Sequence, residues 1–301
     1  MISNREVSST ESEVEPFVSL GMSVYNAGED LRPAVLSVLN QTFENWELII
    51  IDDGSIDGSI ETIEDIDDPR IRIVKSEENR GLATRLNEAV GLARGEFFGR
   101  MDQDDLCHPH RVEKQVRFLE SNEEVDLLGS HCVLINEGSA ITGILPIPVR
   151  HEDICRSPWS GILIPHPTWM GKTEWFQRNP YLSPGPYFCE DQELLLRTHE
   201  FSRFHVLPEL LFAYRVRSQS NVAKLRRTRL TLMRIQWAYF VAAANYYYAL
   251  LSFLSCLGKI ACDYSRGVLC RGAQVRREGV CGSTEWEEDW EQIVQQLQRG
   301  K

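Results

Sequence analysis

The chain has 301 residues and carries 32 Lys plus Arg against 44 Asp plus Glu, a formal charge of −12 with histidines neutral. With 43% hydrophobic and 25% charged residues it has the composition of an ordinary globular chain, which excludes collagen-like and wholly disordered polymers. The acidic balance lacks the basic footprint of a nucleic-acid binder, so no nucleic-acid partner is expected, and a phosphate-bearing substrate calls for a metal or a local basic cluster.

Length alone fits one large domain or two smaller ones. The cysteines at 107, 132, 155, 189, 256, 262, 270 and 281 form no C-x-x-C pair, which argues against structural zinc and for reduced thiols in a cytoplasmic compartment. Residues 1–16 are polar, lack the apolar stretch of a signal peptide and read as a disordered leader ending at Pro16. From Phe17 the pattern alternates. A strand at 17–24 leads into Tyr25-Asn26-Ala27-Gly28, and a helix follows over about 29–41. Trp46-Glu47-Leu48-Ile49-Ile50-Ile51 is nearly all apolar, as a strand buried on both faces of a parallel sheet must be, and it empties into Asp52-Asp53-Gly54-Ser55. A helix near 60–65, a strand at 71–75, a helix at 82–93 and a strand at 95–101 follow, and the last delivers Asp102-Gln103-Asp104-Asp105. Strand-helix alternation implies a mostly parallel α/β sheet with flanking helices, whose ligands bind in the crevice outside the strands' carboxyl ends. Both acidic clusters are expected to face that crevice.

Beyond Pro109 the pattern predicts a helix at 111–121, a strand near 125–135, a Pro-rich stretch of shaped loops at 146–186, a helix beginning at Cys189-Glu190-Asp191, and a last strand at 210–216. Residues 224–277 then hold ten basic residues and one acid, Asp263, and within them 235–258 runs without a charge. That run is long enough to span a bilayer, basic enough at its flanks to lie on an anionic membrane surface, and apolar enough to pack on the rest of the chain; all three readings stay open. Thr284 with Glu287 three residues later is expected to cap a final acidic helix.

Several blocks now form a pattern: Ser23-Val24-Tyr25-Asn26, Asn40-Gln41-Thr42-Phe43, Asp52-Asp53-Gly54-Ser55, Asn79-Arg80-Gly81-Leu82, Ala93-Arg94-Gly95-Glu96, Arg100-Met101-Asp102-Gln103-Asp104-Asp105, His166-Pro167-Thr168, Glu190-Asp191 and Tyr214-Arg215. In order and spacing they resemble the family-2 glycosyltransferases, inverting enzymes of the GT-A fold. The resemblance runs from about 18 to 220. It implies a Rossmann-like GT-A domain over 17–220, with a nucleotide-binding half at 17–106 and an acceptor half at 107–220, followed by a helical C-terminal extension at 221–301. It further implies a nucleotide-diphospho-sugar donor and a glycan, lipid-linked or small acceptor in polysaccharide or cell-envelope synthesis. The alternatives are a non-catalytic sugar-nucleotide scaffold and a metal-dependent phosphohydrolase.

The resemblance also implies roles. A diphosphate in an acidic site needs a divalent cation, and hard carboxylate oxygens select Mg²⁺ or Mn²⁺. Asp104 of the D-x-D motif would bind that metal and Asp102 the ribose or the metal's waters. Asp53 would contact the base, Tyr25 would stack on it, and Arg80 would help neutralise the diphosphate. Asp191 would be the general base, with Glu190 orienting it or touching the acceptor. His166, Trp159 and Trp169 are acceptor candidates. The chain departs from the family pattern with Ser23 for Pro, Ile56 for Thr, and Arg217 where relatives carry a His; Arg217 cannot ligate a metal and is instead a candidate diphosphate contact. The expected location is cytoplasmic, peripheral to the cytoplasmic membrane face, with a single span left open.

Overall fold

The computed structural model describes residues 15–217, 222–269 and 285–300. The leader up to residue 14, the Thr284 cap, and Arg271, Arg276 and Arg277 lie outside the described residues. Four parallel strands open the fold: β1 (Val18–Val24), β2 (Trp46–Asp52), β3 (Ile71–Lys75) and β4 (Phe97–Asp102), side by side in the order β3-β2-β1-β4. Every residue of β2 is buried, because helices cover both faces of such a sheet and leave no position for a polar side chain to reach water. Helix α1 (Leu31–Leu39) packs with one apolar core and α2 (Leu82–Leu92) with the other.

The second half joins the same sheet. Strand β5 (Leu106–Cys107) and helix α3 (Arg111–Ser121) lead to β6 (Leu127–Ile135), which turns back as β7 (Ile141–Leu145). A short helix α4 (His151–Ile154) precedes β8 (Met170–Lys172), α5 (Thr173–Arg178), α6 (Glu190–Thr198) and the long β9 (Phe204–Arg215). The full order is β3-β2-β1-β4-β8-β6-β9-β5, with β7 paired to β6. Strand β8 is antiparallel to both neighbours, so one mixed sheet runs through the whole domain.

Three differences from the sequence reading have local causes. The Pro-rich stretch contains β8, three residues long, held centrally because Gly171 has no Cβ: one placed there would lie 2.3 Å from the Asp126 carbonyl. The last strand starts at Phe204 rather than 210, since Pro208 interrupts the pattern and the β6–β9 register shifts beside it. The helix expected near 60–65 is one 3₁₀ turn over Ile60–Ile63.

The uncharged run at 235–258 is not one helix. It is split between α7 (Val222–Ala242) and α8 (Tyr246–Leu269), a hairpin whose helices pack together and against α6. At the break Asn245 N donates to Phe240 O at 2.7 Å and Ala244 N to Val241 O at 3.0 Å, the bond pair of a Schellman stop, with Ala244 left-handed at φ 55°. Asn245 Oδ1 then accepts Tyr248 N at 3.1 Å and starts α8. Among the described residues no helix is long and apolar enough to cross a membrane, so the spanning reading is corrected. Helix α9 (Glu285–Arg299) returns to the sheet edge, burying Trp290, Val294 and Leu297 against Leu106, Val133 and Ala213.

Alanine in the left-handed region costs what glycine does not. Ala244→Gly is expected to stabilise the chain by about 0.5–1 kcal/mol in denaturant titration; a loss of that size would show that the stop does not form as described.

Candidate active site

The topology makes the site. Strands β2 and β4 flank β1, so their exits lie about 10 Å apart with Tyr25 at the exit between them. Asp52 Oδ1 accepts Ser55 N at 2.9 Å and shapes the turn into Gly54, which is left-handed at φ 82°. Tyr25 N donates to Gln103 Oε1 at 2.7 Å, and Gln103 Nε2 returns a bond to Tyr25 O at 3.3 Å. This clamp ties the first loop to the D-x-D loop and leaves the Tyr25 ring 45% exposed, free to stack.

Asp53 is held differently from the expectation of an open base contact. Its carboxylate is 3% exposed and accepts Arg80 N at 2.7 Å, Gly81 N at 2.8 Å and Arg85 Nε at 2.6 Å. Here it fastens the turn that starts α2. The Arg80 side chain itself projects into solvent at the rim.

The aspartates beyond β4 are each met by an arginine. Arg100 is fully buried and its Nη2 donates to Asp102 Oδ1, while its Nε and Nη1 have no partner among the described residues. Asp104 Oδ2 accepts Arg217 Nη2 at 2.9 Å, and the same nitrogen reaches Asp30 at 3.3 Å. Asp105 Oδ1 accepts Arg215 N at 2.7 Å, and Arg215 Nε donates to Asp104 O at 2.7 Å. Burial and the neighbouring carboxylates raise Asp105 well above the ordinary aspartate range, and burial raises Asp102 against the opposing pull of Arg100.

Glu190 and Asp191 form the first turn of α6 and arrive at the same place. The buried Arg100 charge, bonded to Asp102, is also felt by Tyr181, Glu190 and Asp191, so the Glu-Asp pair lies near the D-x-D loop. Burial, then the charge of Asp191, lifts Glu190 to about 7; burial also raises Asp191. His166 bonds the Tyr181 hydroxyl at 2.8 Å through Nε2, and its Nδ1 stands 3.9 Å from Glu190. Burial, then Arg100, pushes His166 well below its usual range, so the imidazole is neutral at pH 7 and the Glu190 contact is not an ion pair.

Two acceptor candidates are placed elsewhere. Trp169 is 0% exposed, donates Nε1 to Ile164 O at 3.2 Å and packs behind His166, so it offers no face to a sugar. Trp159 packs on Tyr248 of α8, ring centroids 4.6 Å apart, and braces the hairpin. Sequence reasoning passed over Arg85, Arg100 and Tyr181, whose roles depend on burial that no local motif signals.

The donor set fits a cation that arrives with phosphate. Asp102 and Asp104 offer hard oxygens two positions apart, and Mg²⁺ characteristically takes one or two carboxylates plus substrate phosphates and water. Among the described residues no group of three His, Cys, Asp or Glu forms a protein-only cage. Arg217 meets Asp104 from the solvent side, its own side chain 54% exposed.

The family described as glycosyl transferase family 2 matches residues 19–177. An uncharacterized glycosyltransferase of Haemophilus influenzae is 30% identical over 212 residues, 67% of this chain and 66% of that protein. The Escherichia coli UDP-Glc:alpha-D-GlcNAc-diphosphoundecaprenol beta-1,3-glucosyltransferase WfgD is 28% identical over 146 residues, 48% of this chain and 58% of its own. The chain thus spans less than two thirds of the length of either relative. Among solved structures, Staphylococcus aureus TarS 1–349 with UDP-GlcNAc superposes at TM-score 0.62 with 15% identity, covering 93% of this chain and 80% of that one. The mannosyltransferase PcManGT of Pyrobaculum calidifontis, with GDP-Man and Mn²⁺, gives 0.57 at 14% identity over 95% and 86%. These likenesses show a GT-A-like fold.

A carboxyl raised from 4.5 to about 7 binds its proton more tightly in the native state. It therefore destabilises the fold increasingly as pH rises through that window and has no effect below it. Glu190→Gln is expected to raise Tm by several degrees at pH 8, with the gap closing toward pH 4.5; an unchanged or lowered Tm at pH 8 would contradict the burial.

Proposed function

The chain belongs to glycosyl transferase family 2 and is a glycosyltransferase; on that footing we propose that it moves a sugar, with inversion, from a nucleotide-diphosphate donor to a glycan, lipid-linked or small acceptor. Cell-envelope polysaccharide synthesis is the setting, at the cytoplasmic membrane face with residues 224–277 toward the lipid. Supporting the setting are the diphosphoundecaprenol acceptor in WfgD's name and, for the donor, the nucleotide sugars bound to TarS and PcManGT. The observation that carries the reading is that two carboxylate sets share one neighbourhood: Arg100 bonds Asp102 of the D-x-D loop, Arg111 ties the Arg100 carbonyl to Pro167, and the adjoining His166 stands 3.9 Å from Glu190.

Each residue then has work fitted to its position. Tyr25 stacks on the nucleobase, with Asp102 toward the ribose, and Asp53 acts behind them by fastening Arg80, Gly81 and Arg85 at the start of α2. Asp104, with Asp102, would hold Mg²⁺ or Mn²⁺, which when bound supplies positive charge to the departing diphosphate. Arg217 beside Asp104 and Arg80 at the rim offer further cations to the same phosphates. Asp191 takes the proton of the acceptor hydroxyl as that oxygen bonds to the anomeric carbon. On the opposite face the bond to diphosphate breaks, and its electron pair leaves with the nucleotide. Glu190 orients the base, and neutral His166 is placed to touch the acceptor.

Asp191→Asn is expected to cut transfer by about a hundredfold to ten-thousandfold while leaving donor binding in place, read by product formation and nucleotide-dependent thermal shift. Because burial raises Asp191 above its ordinary 3.8, activity should fall on acidification at a pH above that value, as the base gains its proton. Full activity in Asp191→Asn would overturn the assignment.

A further inference from the structure

The α7–α8 hairpin presents a face that sugar transfer does not use. Tyr246, Tyr247, Leu250, Phe253, Leu254 and Leu257 are each between 41% and 68% exposed. Their spacing of three and four residues puts them in one stripe along α8. The opposite side is buried: Ala249, Ser252 and Cys256 face the protein, and Cys256 Sγ reaches Arg229 O of α7 at 3.5 Å. On α7, Trp237 and Val241 are exposed one turn apart, and exposed Arg234 lies one turn before Trp237. A helix folded for water alone turns its polar residues outward; α8 does the reverse, and contiguous exposed apolar surface marks a binding face.

Charge identifies the occupant. Positions 222–262 contain Lys224, Arg226, Arg227, Arg229, Arg234 and Lys259 and no Asp or Glu, within a chain of net −12. Arg229 pairs with Asp263 at 3.0 Å and Lys259 bonds the Ser160 carbonyl. Lys224, Arg226, Arg227 and Arg234 stay exposed. Lys224 and Arg227 lie 3.8 Å over the rings of Phe188 and Tyr187, directly ahead of Glu190. A second copy docking hairpin to hairpin would bring like charges together, and the acidic body lacks a matching apolar face among the described residues, whereas an anionic leaflet supplies both the apolar medium and the counter-charge.

We propose that the outer stripe of α8, together with Trp237 and Val241, is a membrane-docking surface that lies in the interface of an anionic lipid leaflet, with the hairpin's arginines on the lipid phosphates. This deepens the reading of 224–277 as lipid-facing and rests on it. Because α7 packs on α6, docking brings the helix that carries Glu190 and Asp191 to the plane of a lipid-linked acceptor.

The test is co-sedimentation of the full chain with vesicles of phosphatidylcholine alone and of phosphatidylcholine with phosphatidylglycerol. Binding should be at least about tenfold stronger to the anionic vesicles and weaken with salt. Leu250→Glu/Leu254→Glu should lower it by about tenfold or more without changing the circular dichroism spectrum. Arg226→Glu/Arg234→Glu, which leaves the apolar stripe intact, should remove the preference for anionic lipid. The proposal is overturned if the wild-type chain stays in the supernatant or binds both vesicles equally. It is equally overturned if Leu250→Glu/Leu254→Glu binds like wild type, or if that variant instead dissolves a dimer seen in sedimentation velocity without lipid. Vesicle binding is read without turnover, so a chain that docks yet transfers no sugar contradicts the transferase mechanism alone, and one that transfers to a soluble acceptor yet ignores vesicles contradicts the docking alone.

Discussion

Everything at the functional end of this protein follows from crowding carboxylates at the mouth of one sheet. Asp102, Asp104, Asp105, Glu190 and Asp191 gather there with Asp53 nearby, and three arginine side chains hold the aspartates: Arg85 on Asp53, Arg100 on Asp102 and Arg217 on Asp104, while Asp105 is held by the Arg215 backbone N–H. Arginine suits the task because it stays charged when buried and its planar fork reaches several acceptors at once. Arg100 shows the cost. It is fully buried, and two of its nitrogens have no partner among the described residues, an arrangement that costs the fold stability.

The scaffold around this cluster is braced to keep it in place. Arg111, also fully buried, donates Nη2 to the carbonyls of Arg100 at 2.7 Å and Pro167 at 3.1 Å, locking β4 to the loop that carries His166. Thr168 Oγ1 bonds Pro165 O at 2.7 Å and accepts Ser130 N at 3.2 Å. At the far end of the sheet, Glu47 accepts Ser19 Oγ at 2.7 Å and Arg94 N at 2.9 Å. Several blocks of the recognisable pattern are therefore braces rather than chemistry: Gln41 joins α1 to α3 through His108 O and Val112 N, and Arg94-Gly95 closes the bottom of β1.

The parallel half was legible because strands buried on both faces of a parallel sheet read as nearly continuous apolar runs, and residues 48–51 within β2 form one. Both acidic exits could be placed for the same reason. What stayed hidden depends on tertiary surroundings. Three-residue β8 has no period to detect, and Trp169 looked like a loop aromatic until the sheet closed over it. The helix stop at Ala244 lacks the glycine that normally announces one, so a hairpin read as a single uncharged run. Arg100 stood in plain view beside the D-x-D motif, but only burial gives it its role.

The overall charge averages two unlike regions, an acidic sheet mouth and a basic apolar hairpin. An acidic mouth disfavours a nucleoside diphosphate; Asp104 and Asp102 are proposed to hold a divalent cation for that reason, with Arg217 beside Asp104 as a further, solvent-screened positive charge. The most direct test is calorimetric titration of the full chain with uridine and guanosine diphosphates, in Mn²⁺ and in EDTA. The expected result is binding of at least one of them at least about tenfold tighter with Mn²⁺, with that gain lost in a folded Asp104→Asn variant. Equal affinity with and without the metal would contradict it.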